Sequence, residues 1–189
     1  CLDRVFRQAM DQSFNAISVD GCMSTNDTAI ILANGKAGNS PVRLRSAGCR
    51  VFREALFDVA IQLAVLMVRD GEGATKLIDI RVEGCRNRSE AKRVAYAIGR
   101  SSLVKTAFFG GDPNWGRIIS AAGSTGVPLR PEQTELYFND CLIFKNGMGV
   151  GGNQAELEAI MKEDTIAVLV KLNMGSGSFR LLASDLTHE

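Results

Sequence analysis

Few residues of this 189-residue chain are spaced for chemistry, and Glu72 is the first that asks for an explanation. It stands between Gly71 and Gly73 in DGEGATK, residues 70–76. Glycine on both sides lets a ligand approach the backbone and leaves the carboxylate free to face a cation. The same stretch also reads as a helix stop and a strand start, with Lys76 as the salt-bridge partner of Glu72. The residues alone leave both readings open. A second place is Asp112-Pro113-Asn114-Trp115-Gly116-Arg117. One reading makes it a helix start, with Asp112 as N-cap, Pro113 at the first helical position and Trp115 packed into the core. The other makes it a helix N-terminus offering amides, Asn114 and Arg117 to an anion.

Other chemistries have less behind them. A leading Cys1 invites an N-terminal nucleophile with the free amine as base. Such a nucleophile belongs on a strand beside an oxyanion hole, whereas an amphipathic helix begins at Leu2; we read Cys1 as inert. His188, close to the end, is the only histidine, so a Ser-His-Asp triad has no support. No cluster has metal-ligand spacing. GMGVGG, residues 147–152, is not followed by the Lys-Ser/Thr of a phosphate loop and reads as a flexible connection before a helix.

Composition narrows the field. The net charge of +1 gives no bulk case for nucleic acid or acidic lipid. The longest apolar stretch, ALFDVAIQLAVLMV, is interrupted by Asp58 and Gln62 and falls short of the ~20 residues of a membrane span. The five cysteines are odd in number and widely spaced, with no Cys-x-x-Cys. That argues against a disulfide framework or a zinc site and for a reducing cytoplasm.

The elements that position these residues follow from periodicity. Residues 2–14 have helical apolar spacing. TAIILA, 28–33, reads as a buried strand closed by Asn34-Gly35, and 36–48 as a loop. A long helix is expected over 50–69, ended by Gly71 in the left-handed conformation. LIDIRV, 77–82, alternates as a half-buried strand does. Ser89 suits the N-cap of a helix over 90–101. ELYF and CLIF form a hairpin through Asn139-Asp140. A helix fits 154–162, and IAVLVKL and SFRLLAS read as a second strand pair joined through Asn173-Met174-Gly175. The mixture lacks a regular βαβ rhythm and predicts an α+β fold with largely antiparallel sheet, in a single piece covering 1–189.

Three motifs together carry a resemblance over essentially the whole chain. VDGCMSTNDTAIILANG (19–35), VRDGEGATK (68–76) and GGDPNWGRI (110–118) resemble signatures of the ornithine acetyltransferase (glutamate N-acetyltransferase) family, and SDLTHE resembles its penultimate strand. Cys22-Met23 departs from the Asp-Thr usual there, within a turn. The resemblance implies a four-layer αββα fold of the N-terminal-nucleophile-like type. It implies a precursor that cuts itself before a threonine into α and β chains that stay together, as (αβ)2 or a higher assembly. The threonine takes acetyl from N2-acetylornithine and passes it to glutamate in a ping-pong cycle of arginine biosynthesis, with no metal or organic cofactor. The chain resembles a β chain trimmed at both ends. The nucleophile is then expected ahead of Cys1, the oxyanion donors on the α chain, and a last substrate-binding segment after Glu189. Glu72 is the one family substrate-binding residue that maps here, where it meets the side-chain ammonium of ornithine. Two other readings stand beside this one: a related N-terminal-nucleophile aminopeptidase or amidase, and a non-catalytic remnant.

Overall fold

The computed structural model describes residues 1–152 and 154–187. Helix α1 (Leu2–Gln12) leads through a 3-10 turn to β1 (Ile17–Ser18), and α2 (Ala47–Arg69) leads into β2 (Leu77–Cys85). Helices α3 (Arg88–Arg100), α4 (Ser102–Phe109) and α5 (Trp115–Gly123) follow, then β3 (Glu135–Phe138), β4 (Cys141–Lys145) and β5 (Met148–Gly149). The described chain closes with α6 (Gln154–Ile160), β6 (Thr165–Lys171) and β7 (Gly177–Ser184). All strands join one seven-stranded sheet in the order β1-β7-β2-β6-β3-β4-β5. The β1–β7 and β2–β6 pairs are parallel and the other four antiparallel, so the expected largely antiparallel α+β character holds.

Strand alternation divides the core. Ile78, Ile80 and Val82 of β2 face one side with Ile166, Val168 and Val170 of β6, against Ala91, Val94, Ala95 and Ile98 of α3. Helix α3 lies so close that a methyl group on Gly99 would sit 2.6 Å from Leu181. Phe108 of α4 meets Phe138 of β3 in the same core, with ring centroids 5.4 Å apart. Burial of each such ring stabilises the fold by about 1.5–3 kcal/mol. On the opposite face the C-terminal turn of α2 covers Leu77 and Leu182 with Val68. Next to them Asp79 is buried, held by two hydrogen bonds from Arg180 at 2.8 and 2.9 Å. One sheet, helices on one face and the end of α2 on the other are what this chain supplies of the αββα arrangement.

Several expectations are corrected. Residues 28–33 form no strand: Ile30 and Leu32 are 75% and 89% exposed. Among the described residues no strand runs beside them, and a β-prone run without a partner has nothing to bond or bury against. Strands β6 and β7 do not pair, because β2 lies between them. The 173–175 turn straddles the end of β2, where Met174 N–H donates to Gly84 O at 2.7 Å. GMGVGG is partly an edge strand, β5, whose Gly149 lies against Trp115. Trp115 is 38% exposed and tilted on Phe144 at 5.1 Å, on the rim of the core.

The caps also move. Asn87, not Ser89, caps α3 and accepts from Glu90 N–H at 3.0 Å. Asn114, not Asp112, caps α5 and accepts from Arg117 N–H at 3.0 Å, so the helix begins after Pro113 at Trp115. Asp112 holds that cap in place by accepting from the Asn114 side-chain amide at 2.9 Å. Helix α4 was not anticipated; Ser101 caps it. Helix α2 ends on Asp70 with φ −87°, so Gly71 is not a left-handed terminator. Strand β2 is buried without alternation from Leu77 to Ile80, because both faces are covered there.

Candidate functional site

Glu72 lies in the turn from α2 to β2, closed by Ala74 N–H donating to Gly71 O at 2.9 Å. The turn sits at the end of the sheet where β2 begins and β1 and β7 finish. Its two glycines answer to packing. A Cβ on Gly71 would come within 2.6 Å of Val19 Cγ1. Gly73 has φ +68°, and a Cβ there would come within 2.5 Å of Thr187 Oγ1. Two side chains therefore press on the turn from either side, so packing alone requires both glycines. Between them Glu72 is exposed, and among the described residues it pairs with no cation; the alternative partner Lys76 is not joined to it.

Beyond Glu72 the chain runs into a network that sequence reasoning missed. Asp185, 2% exposed, accepts through Oδ1 from Thr75 N–H at 2.8 Å and Lys76 N–H at 2.9 Å. Its Oδ2 accepts from the Thr75 hydroxyl at 2.5 Å. Behind it Lys105, 4% exposed, donates to Val19 O at 2.5 Å and to Ser184 O and Oγ at 2.6 and 3.1 Å. Burial pulls the Lys105 ammonium below the usual lysine range, and the charges of Asp185 and Asp20 oppose that pull. Three acceptors satisfy the three ammonium donors, which is what makes a buried lysine tolerable. One signal was available: Lys105 is a lone charge within the apolar turn LVKTAFF of a helix.

The second candidate place is a closed piece of architecture. Arg117 Nη1 donates to Leu103 O at 2.7 Å, which ties α5 to α4, and the Asn114 side chain is taken up as cap. These bonds serve the helix start. Cys1 precedes α1 and is exposed, with its Sγ 3.2 Å from the Sγ of Cys49. His188 lies outside the described residues. A cleft of about 780 Å3 opens toward the other end of β2, far along the strand from Glu72. Of its four arginines, Arg81 and Arg180 pair with Asp79 at 3.3 and 2.8 Å, Arg86 pairs with Glu90 at 2.6 Å, and Arg88 lies over the Phe179 ring at 4.9 Å.

One mixed sheet with an exposed carboxylate on a clamped turn at its end defines the fold and the candidate site, and comparison with known proteins gives the family. The family model described as the ArgJ family matches residues 1–189. The arginine biosynthesis bifunctional protein ArgJ of Geobacter sulfurreducens is 48% identical over all of this chain, which spans 48% of that protein. The protein of the same name from Syntrophotalea carbinolica is 40% identical over the same extent. The crystal structure of the Bacillus halodurans arginine biosynthesis bifunctional protein argJ superposes with a TM-score of 0.93 at 36% identity, covering 99% of this chain and 88% of that one. The chain belongs to the ArgJ family. It spans about half the length of the curated relatives it matches.

Proposed function

We propose that this chain is the β chain of an acetyltransferase that moves acetyl from N2-acetylornithine to glutamate. The observation that carries the reading is a family match over residues 1–189 in which Glu72 projects, exposed, from a turn packed on both flanks. In this reading a threonine ahead of Cys1 is the nucleophile, freed by self-cleavage of a longer precursor. Its hydroxyl attacks the acetyl carbonyl and its proton passes to the amine base. Donors on the α chain hold the oxyanion. The amide C–N bond breaks and ornithine leaves with the proton, and the amine of glutamate then attacks the threonyl ester to release N-acetylglutamate and restore the hydroxyl. Glu72 meets the side-chain ammonium of the donor. That charge-assisted bond is worth about 1.5–3 kcal/mol, or roughly ten- to hundredfold in affinity.

The relatives are called bifunctional, and we assign the second activity to acetyl-CoA as donor. Acetyl-CoA has no ammonium for Glu72 to meet, so the two donors respond differently to its charge. The α chain is the expected partner, in an (αβ)2 or higher assembly. Val59, Leu63, Leu66 and Met67 give it a surface: they lie at helical spacing on one side of α2 and are exposed, while Ala60, Ala64 and Val68 on the other side are buried. A helix apolar on both sides is normally buried on both. A cytoplasmic location fits thiols that are not joined as disulfides, and among the described residues no helix is long and apolar enough to cross a membrane.

Glu72→Gln in the complete two-chain protein tests the reading. The expected result is a fall of roughly ten- to hundredfold in kcat/KM for acetylornithine. Deacylation by glutamate and acylation by acetyl-CoA should stay within about twofold. Unchanged acetylornithine kinetics would make Glu72 a turn residue only. Release of free amino acid from peptide amides, without transfer to glutamate, would favour the amidase reading.

A further inference from the structure

Among the described residues the Glu72 side chain has no partner, while its surroundings are tied together. On its N-terminal flank Val19 packs on Gly71, and Lys105 holds Val19 O at 2.5 Å. On its C-terminal flank Thr187 packs on Gly73. Past Ala74, Thr75 and Lys76 give both backbone N–H groups to one carboxylate oxygen of Asp185 at 2.8 and 2.9 Å. Asp185 also returns its own N–H to Lys76 O at 3.3 Å, so the turn and the end of β7 are bonded in both directions. Lys105 completes the ring by bonding Ser184, the neighbour of Asp185, at 2.6 Å. A buried carboxylate and a buried ammonium are costly features to retain for a simple helix-to-strand connection. They are economical where one projecting side chain must meet a ligand in a fixed position, because preorganisation removes the ordering cost at the moment of binding.

We propose that Asp185 is a positioning residue for donor recognition: by clamping Thr75 and Lys76 it holds the turn that aims the Glu72 carboxylate at the ammonium of the amino-acid donor. The proposal rests on the reading of Glu72 given under the proposed function. Asp185 does not touch the donor; it acts through Glu72. Its removal therefore acts on the half-reaction that uses the ammonium and spares the one that does not. The Thr75 hydroxyl, at 2.5 Å from Asp185 Oδ2, is the accessible handle on the same clamp.

The experiment uses the complete two-chain enzyme with Asp185→Asn, Thr75→Val and Thr75→Ser, each alone and combined with Glu72→Gln. Acylation by acetylornithine, deacylation by glutamate and thermal melting are measured for all. Asp185→Asn and Thr75→Val are expected to raise KM for acetylornithine about tenfold, to leave deacylation within about twofold, and to lose their effect on KM once Glu72 is Gln. Thr75→Ser keeps the hydroxyl and restores the wild-type KM. The positioning role is overturned if Thr75→Val slows both half-reactions in step with its melting temperature, or if its effect multiplies undiminished with that of Glu72→Gln. It is equally overturned if Thr75→Val and Asp185→Asn leave KM unchanged while Glu72→Gln raises it. If Glu72→Gln itself leaves acetylornithine kinetics intact, the functional reading of Glu72 fails and the positioning role falls with it. Thr75→Val keeps the test decisive should Asp185→Asn fail to fold.

Discussion

A methyl group at Gly73 would sit 2.5 Å from Thr187 Oγ1 on a backbone with φ +68°. Gly73→Ala is therefore expected to cost about 1–3 kcal/mol in a melting experiment, from left-handed strain and overpacking together. It should also displace Glu72 and lower kcat/KM for acetylornithine. The thiols offer a separate check. Burial, with the nearby charge of Glu90 adding to it, pushes the Cys85 thiol up to about 11. Alkylation near pH 8 should label exposed Cys1 and Cys22 in the native protein and leave Cys85 unreacted until denaturant is added, since the thiolate is the reacting form. Rapid native labelling of Cys85, followed by peptide mapping, would contradict its placement. At this scale the two glycines single out Glu72, but the residues alone leave its role open, and the role given to it rests on the family resemblance. Asp185 and Lys105 were not legible, because their partners are 110 and 79 residues away along the chain and no local pattern marks such a contact.

Among the elements, long helices with clear apolar spacing were readable, as α1, α2 and α3 show. Strand neighbours were not: β6 and β7 are adjacent in sequence with a turn-forming Asn173 between them, and nothing local says that β2 separates them. That crossing is tight. A Cβ on Gly177 would lie 2.3 Å from the backbone carbon of Asn87, and backbone cannot yield as a side chain does. Gly177→Ala is expected to destabilise the fold by about 3 kcal/mol or more, read as a lower denaturation midpoint. The β3–β4 hairpin carries a pH signature. Lys145 at 2.8 Å, and then the Tyr137 hydroxyl at 2.8 Å, hold the Glu135 carboxyl below the usual range. A group held low in the folded state adds stability above its unfolded value of about 4.3, and that stability is lost as pH falls through the folded value. Glu135→Gln should flatten this acid limb of a stability–pH curve while costing stability at neutral pH. An unchanged acid limb would show that the pair contributes nothing.

Across the whole molecule, two apolar features face outward together: the outer side of α2 and the run TAIILA at 28–33, with Ile30 and Leu32 exposed. Sequence patterning marks both as apolar and assigns TAIILA to a buried strand. Under the proposed function, the α chain is what would cover them. Produced alone, the chain is expected to aggregate, since obligate interfaces are core-like and exceed ~2,000 Å². Leu66→Lys should improve its solubility while weakening recovery with the α chain, as one buried leucine contributes about 1.5–3 kcal/mol. A monodisperse, cooperatively melting monomer, checked by light scattering and calorimetry, would remove the case for an obligate partner.

An enzyme that carries acetyl between two amino acids on a threonine passes through an acetyl-threonine ester. Trapping that intermediate tests the proposed function most directly. The complete two-chain protein is mixed with N2-acetylornithine bearing a labelled acetyl group, quenched, and mapped by peptide mass spectrometry. The expected result is one acetyl group on an N-terminal threonine of the β chain, discharged on addition of glutamate as labelled N-acetylglutamate. An enzyme that stays unlabelled while free ornithine accumulates, or a label that glutamate does not remove, would contradict the proposed function.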